Sequence, residues 1–234
     1  MTGKTPPSPK FSYDVHARAC APDDFMGQVC RTIQGKPLSE DQFRMIIKAC
    51  RSGLDLKRED VLLELACGNG FLSKFLFGAC KGYLGVDISE YMISVARDNF
   101  ELLPDYQFVA RSVVEYVRLE EHPERFTKVL CYASFQYIPD NDAEEILRTI
   151  FGKFSNVQGI FIGNLPDREC AEAFYKSRLP SQEELSDCST AIGKWRTKLE
   201  LQSLANKAGW KVRFSSMPEC FHSSRFRYDA FLSR

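Results

Sequence analysis

Two hydrophobic periods alternate along this chain, and the switches between them divide it into strands and helices. Continuous apolar runs occur at Val61–Leu65, Gly82–Asp87, Tyr106–Ala110, Lys128–Tyr132 and Gly159–Ile162. Short runs of this kind, bounded by turn formers, read as buried strands. Between them the spacing becomes helical. Phe43, Ile46, Ile47 and Cys50 share one face of a helix over Leu38–Cys50, with Ser39 as its N-cap. Phe71–Ala79 is expected as the helix after strand one. Ser89 caps a helix through Asn99, whose apolar side is Met92, Ile93, Val95 and Ala96. Val113–Val117 begins a further helix, Asp140–Phe154 is amphipathic, and Arg196–Ala208 ends at the C-cap Gly209. Lys211–Phe214 and Arg225–Leu232 are two strands with no helix between them, which predicts a hairpin with one antiparallel member. Phe11–Gly35 has no clean period, and Asn164–Lys194 is irregular apart from a short helix around Glu169–Lys176.

Strands alternating with helices predict an α/β fold with a mostly parallel sheet, whose ligands bind at the carboxyl ends of the strands. The 234 residues suit one large domain, and no internal repeat or interdomain linker divides them. Thirty-one basic and thirty-one acidic residues cancel, so no global field recruits nucleic acid or an anionic membrane. The nine cysteines include no C-x-x-C pair, and the three histidines are scattered. No metal site is expected, and the thiols read as reduced and buried in a cytoplasmic protein. Met1–Pro9 is polar and proline-rich without an apolar core, so residues 1–10 read as a flexible tail rather than a signal peptide. No apolar run approaches the roughly twenty residues of a membrane span.

The turn after strand one carries the chemistry. In Val61–Leu–Leu–Glu64–Leu–Ala66–Cys–Gly68–Asn–Gly70 an apolar strand ends near a carboxylate and enters a turn of small residues. Glycines there let a ligand approach the backbone, and a helix start offers unpaired amides. A dinucleotide would present a pyrophosphate to Glu64 and be repelled. S-adenosylmethionine (SAM) would present an ammonium and a sulfonium, which a carboxylate attracts. Asp87, seventeen positions after Gly70 at the tip of strand two, suits ribose hydroxyls in either case.

Glu64–Leu–Ala–Cys–Gly–Asn–Gly70 resembles the first motif of the class I SAM-dependent methyltransferases. Gly85–Val–Asp87–Ile–Ser–Glu–Tyr–Met–Ile–Ser–Val–Ala–Arg97 is similar to their second-strand motif, and Phe126–Asp140 looks like their fourth-strand motif. Ala208–Gly–Trp210 and Arg225–Asp229 resemble the family's C-terminal close. The resemblance covers residues 55–234 and implies a three-layer Rossmann-like fold with a seven-stranded sheet of order 3-2-1-4-5-7-6, strand seven antiparallel. It implies that Glu64, Ala66, Gly68 and Gly70 line the methionine and ribose portion, and that Asp87 holds the ribose hydroxyls. Ile88 and Met92 would pack on the adenine, Ser112 and Val113 would meet its amino edge, and Tyr132 and Ala133 would lie beside the cofactor. Three positions depart from the family pattern: Ala66 for glycine, Ser112 for aspartate and Thr127 for aspartate, the last read as structural.

No Asn/Asp-Pro-Pro-Tyr signature follows strand four, where the chain reads Ser134–Phe–Gln136–Tyr137. Gln136 is suited to orient a hydroxyl or carboxylate but cannot act as a base at neutral pH, and a bond within its own loop is the equal alternative. His16 and His222 are the imidazoles near expected covering segments, with Tyr137 and His122 weaker candidates; a structural role stands against each. Residues 11–54 are expected as an N-terminal helical cap and residues 164–194 as a substrate cover, with Asn164 a substrate contact. Arg18, Arg31 and Lys36 are basic groups for an anionic substrate or the methionine carboxylate. The expected activity is methylation of a small molecule, on oxygen rather than nitrogen or carbon, with S-adenosylhomocysteine as product. A nucleic-acid or protein methyltransferase, a non-catalytic SAM-binding scaffold and, more distantly, an NAD-dependent oxidoreductase are the alternatives. Oligomeric state is not legible in these residues.

Overall fold

Alternation along the strands decides which residue enters which layer. The computed structural model describes residues 12–175 and 180–234, so the expected 1–10 tail and Lys176 lie outside the described residues. Seven strands form one sheet: β1 (Val61–Leu65), β2 (Gly82–Asp87), β3 (Tyr106–Ala110), β4 (Lys128–Tyr132), β5 (Gly159–Pro166), β6 (Lys211–Ser215) and β7 (Arg227–Ser233). Their order is β3-β2-β1-β4-β5-β7-β6. The first five are parallel, and β7 runs antiparallel to both β5 and β6.

Leu63 and Leu65 of β1 face the layer of α4 (Val113–Leu119), α5 (Asp140–Lys153) and α6 (Lys198–Lys207). Leu62 faces the other layer, with α2 (Glu40–Leu54) and α3 (Glu90–Phe100), where Phe43, Ile46, Cys50 and Leu54 are buried. A short N-terminal helix, α1 (Tyr13–Ala19), crosses near the start of α3; Asp14 accepts from the Ser89 hydroxyl at 2.5 Å. Thr127 behaves as a structural residue: its hydroxyl donates to Asp60 at 2.7 Å and accepts from Val61 N–H at 3.0 Å, pinning the starts of β4 and β1 together.

The expected helix over Phe71–Ala79 is instead two 3₁₀ turns, Ser73–Phe75 and Phe77–Ala79. The connection must return along a strand of five residues, about 16 Å at roughly 3.3 Å each. Seven residues from Ser73 to Ala79 rise about 14 Å as 3₁₀ helix but only about 10 Å as α-helix, so the tighter winding spans the gap. Apolar side chains pack around the segment, with Leu72, Leu76, Phe77 and Cys80 all buried. Helix α6 starts at Lys198 rather than Arg196, because Thr197 and Glu200 form a capping box. Strand β5 runs four residues beyond its expected end, to Pro166, since β7 continues to pair with it past a register shift between Ile162 and Leu165. The first three residues of the 164–194 stretch, expected as irregular, therefore belong to β5.

Gly70 (φ +72°) stands where an added Cβ would lie 2.8 Å from the Phe108 ring and 3.0 Å from the Ala96 Cβ. Ala66 already has a Cβ at φ 55°. Gly70→Ala is expected to destabilise by roughly 2–4 kcal/mol through overpacking and the left-handed backbone. Ala66→Gly should change stability by less than about 1 kcal/mol. Urea unfolding of both variants checks this, and a Gly70→Ala protein as stable as the parent would refute the close packing.

Candidate active site

Three adjacent strands share an unusual backbone turn at or near their carboxyl ends. Ala66 after β1, Ala133 after β4 and Asn164 within β5 have φ of 55°, 59° and 62°, in the left-handed region that costs a non-glycine residue about 1–2 kcal/mol. The tips are tied to one another: Ala133 N–H donates to the Gly163 carbonyl at 2.9 Å, and the Ser134 hydroxyl to the Ala66 carbonyl at 3.3 Å. The Asp87 carboxylate closes the remaining gap, accepting from Gly68 N–H at 2.8 Å and from Ser89 N–H at 2.9 Å. Burial raises the Asp87 pKa, and the two amides oppose that shift.

A cavity of about 690 Å³ opens over these tips. Near the β2 and β3 tips its wall is acidic and apolar, with Asp14, Asp87, Glu90, Ile88, Met92, Ser112 and Val113. Around β4 it is aromatic and basic, with Tyr13, Arg31, Tyr132, Ala133, Ser134 and Tyr137. Ala66 and Gly68 lie between. Met92 is buried beneath the loop, its sulfur 3.5 Å from where a Gly68 Cβ would stand, whereas Ile88 is exposed. Tyr132 is buried, and its hydroxyl has no hydrogen-bond partner among the described residues.

Two residues of the glycine turn do not reach the cavity wall. Glu64 shares the α2 side of the sheet with Leu62; its carboxylate is buried and accepts from the hydroxyls of Ser73 and Tyr83, both at 2.7 Å. Burial raises its pKa, opposed by those two bonds and the charge of Arg31. Its negative charge thus stands behind Arg31 rather than in the cavity. Gly70 is packed against Phe108 and Ala96, so its missing Cβ serves the fold.

The candidate bases are dispersed. The His16 ring meets the Gly27 carbonyl at 2.9 Å and does not line the cavity. His222 Nδ1 lies 3.2 Å from Gln42 Oε1, also away from the wall, and burial lowers its pKa. Gln136 is buried off the wall and donates to the Ala133 carbonyl at 2.8 Å. Its position within the strand-four turn leaves it bonding its own loop. Tyr137 does line the cavity; its hydroxyl lies 2.5 Å from that of Tyr13 and donates to the Ala191 carbonyl at 2.8 Å. Burial raises the Tyr137 pKa, which unsuits it as a base at neutral pH. Asn164 is off the wall as well, bonded through its backbone to Asp229 and Arg227.

Several supports escaped sequence reasoning. Buried Asn69 donates to the Phe25 carbonyl and to Gln28 Oε1, both at 2.9 Å, fastening the loop to the N-terminal segment. Arg196, expected as a helix residue, is buried and bonds Asp140 at 2.8 Å and the Ile138 carbonyl at 2.7 Å, fixing the turn after β4. The T-x-x-E capping box after it was the one readable signal. Asp229 accepts from Asn164 N–H at 2.7 Å at the β5–β7 irregularity.

Burial pushes the Asp229 carboxyl from 3.8 up to about 6, against the Asn164 bond. The folded state therefore holds its proton more tightly than the unfolded chain between about pH 4 and 6. This group's contribution to stability falls as pH rises through that window, by at most about 3 kcal/mol. Carbon-13 titration of the Asp229 carboxyl should give a midpoint near 6, and Asp229→Asn should lose that part of the pH dependence.

A family model described as a methyltransferase domain matches residues 62–153, from β1 through α5. Over 89 residues the chain is 32% identical to the 23S rRNA (uracil(1939)-C(5))-methyltransferase of Marinomonas sp. (strain MWYL1), covering 37% of this chain and 20% of that enzyme. The match thus spans a fifth of that curated relative. Among solved structures, the cyclopropane synthase MmaA2 from Mycobacterium tuberculosis superposes with a TM-score of 0.62 at 11% identity, over 96% of this chain and 99% of that one. Magnesium protoporphyrin IX methyltransferase from Synechocystis PCC 6803 with bound SAM gives 0.59 at 13%, over 96% and 98%. Residues 62–153 thus carry a methyltransferase domain, and the full strand order around it is that of the Rossmann-like methyltransferase fold.

Proposed function

We propose that this protein methylates a small-molecule acceptor, with oxygen as the receiving atom. The observation that carries the reading is the roof of the cavity. Tyr13 of α1, Tyr137 after β4 and Ala191 of the 167–194 segment meet in one hydrogen-bonded contact, which suits a compact acceptor better than a polymer strand. The near-neutral charge of the chain agrees.

The residues present fit SAM. A volume of about 690 Å³ falls within the roughly 300–1,000 Å³ of small-molecule pockets. A carboxylate has about four acceptor sites, and two backbone amides leave Asp87 capacity for ribose hydroxyls. Ile88 and Met92 offer apolar contacts for the adenine, and Ser112 and Val113 its polar edge. Ala66 and Gly68 present backbone to the methionine portion, with Arg31 facing its carboxylate and Tyr132 and Ala133 alongside. Glu64 acts from behind by balancing the Arg31 charge. When bound, SAM supplies an electrophilic methyl group on a sulfonium.

The chain's own part is positioning and exclusion of water. None of the three histidines lines the cavity, and the Asp14 carboxyl is held low by its bonds to Arg18 and Ser89. An acceptor that already carries a reactive lone pair therefore suits this wall best. The rRNA-methylating relative favours a second reading, an RNA acceptor, which predicts RNA binding that weakens steeply with salt.

Calorimetry should detect SAM and S-adenosylhomocysteine but not NAD; tight NAD binding without SAM would refute the donor site. Asp87→Ala should weaken S-adenosylhomocysteine by roughly 1–3 kcal/mol. A screen of metabolite pools, read by S-adenosylhomocysteine formation, should give turnover, whereas turnover on RNA alone would overturn the small-molecule reading.

A further inference from the structure

Helix α5 carries four carboxylates in its first two turns, and three of them are paired. Asp140 bonds Lys194 and Arg196, Glu144 meets Arg148, and Glu145 meets Arg118. Asp142, half-buried on the cavity wall, has no hydrogen bond or ion pair among the described residues. Its place in the helix withholds the usual partner. A carboxylate on the third helical residue can accept from the N–H of the N-cap, but here the N-cap is Pro139, which has none. Ser112 departs in a similar way. Every other described α-helix that follows a serine or threonine is capped by that hydroxyl: Ser12, Ser39, Ser89, Ser181 and Thr197 each accept an amide of the first turn. Ser112, which precedes α4, makes no such bond, and its hydroxyl has no partner among the described residues. It too lines the cavity.

These two groups flank one slot. Helices α4 and α5 each lead away from a strand tip between parallel strands, so they run in the same direction. Arg118 of α4 reaches Glu145 of α5 at 3.1 Å. Counting back at about 1.5 Å per residue, Asp142 stands about 4.5 Å before Glu145 and Ser112 about 9 Å before Arg118. Both therefore sit at the cavity end of the helix pair. The wall around them is apolar, formed by Val113, Val114, Ile138 and Ile146, the last one turn beyond Asp142 on the same face. The slot also adjoins Asp87. Strand β2 lies between β1 and β3, Asp87 is in register with Ala110, and its carbonyl accepts from Arg111 N–H at 2.8 Å. A ribose held at Asp87 thus has the Ala66–Gly68 turn on one side and Ser112 on the other. Base and 5′ substituent leave a ribose on opposite sides. The charged methionine chain suits the turn, and the flat base suits the slot.

A carboxylate only accepts hydrogen bonds, whereas a hydroxyl can donate one. Adenine presents the matching pattern, an exocyclic amine beside unprotonated ring nitrogens. We propose that Asp142 and Ser112 read the adenine of the methyl donor: the Asp142 carboxylate accepts from the exocyclic amine, and the Ser112 hydroxyl donates to a ring nitrogen beside it. This rests on reading the cavity as the SAM site. It makes Asp142 the residue that selects an adenine nucleoside over a hypoxanthine one, whose carbonyl oxygen would meet the carboxylate with no proton between them.

The test compares S-adenosylhomocysteine with S-inosylhomocysteine, in which a carbonyl replaces the amine, by calorimetry on the full chain. The unmodified protein should favour the adenosyl ligand by about tenfold or more. Equal affinities would overturn the proposal without any variant. Asp142→Asn, whose amide can donate to the carbonyl, should bring the two ligands to within about threefold. Glu144→Gln removes a charge from the same helix and should leave the preference as it is. A preference unmoved by Asp142→Asn, or moved equally by Glu144→Gln, refutes the Asp142 contact. Should Asp142→Asn fail to fold, Asp142→Ala decides by the same ratio. Ser112→Ala should weaken S-adenosylhomocysteine several-fold, and no loss would remove the hydroxyl from the site. Failure of the unmodified protein to bind S-adenosylhomocysteine at all would refute the donor site itself, whereas binding with an unmoved preference refutes Asp142 alone.

Discussion

Much of this structure hangs on the Asp87 carboxylate, which accepts one backbone N–H from each of two loops. One bond holds Gly68 and so fixes the turn after β1. The other holds Ser89, whose own hydroxyl caps α3 by accepting from Met92 N–H. The same hydroxyl donates to Asp14, so helix α1 is seated by the same few atoms. Buried amides left unbonded would each cost about 1–3 kcal/mol. The carboxylate therefore stabilises the left-handed turn at Ala66 and sets the acidic side of the cavity at the same time.

A second carboxylate, Glu64, shows how charge can act without contact. Its sign suits a cationic methyl donor, yet its oxygens are occupied by Ser73 and Tyr83 on the far side of the sheet. Glu64 lies one step along the strand from Leu65, and alternation sends it to the α2 layer. There it offsets the charge of Arg31, which does face the cavity. The cavity is thus polarised, with carboxylates by the β2 tip and the Arg31 guanidinium and the phenols around β4.

The strands were legible because each is a short apolar run, and β1 through β4 begin and end where the pattern places them. The N-caps Ser39 and Ser89 were legible for the same local reason. The 3₁₀ connection at Ser73–Ala79 was not, because its winding answers to the distance between strand ends, which no local pattern encodes. Nor was the extension of β5 to Pro166, since pairing with β7 about sixty residues later creates it.

The sequence by itself determined the order of elements, the carboxylate at the tip of β2 and the small-residue turn beside it, because these depend on residues near one another in the chain. Tertiary structure alone decided which side chains face the cavity. It turned Glu64 and Gly70 inward to the core, left the imidazoles of His16 and His222 off the wall, and gathered Tyr13, Arg31, Tyr132 and Tyr137 from separate segments. A side chain's direction follows from the pleat and the layer packing above it. Those are settled only when distant segments meet, which is why the small-residue turn was readable and the far wall of the cavity was not.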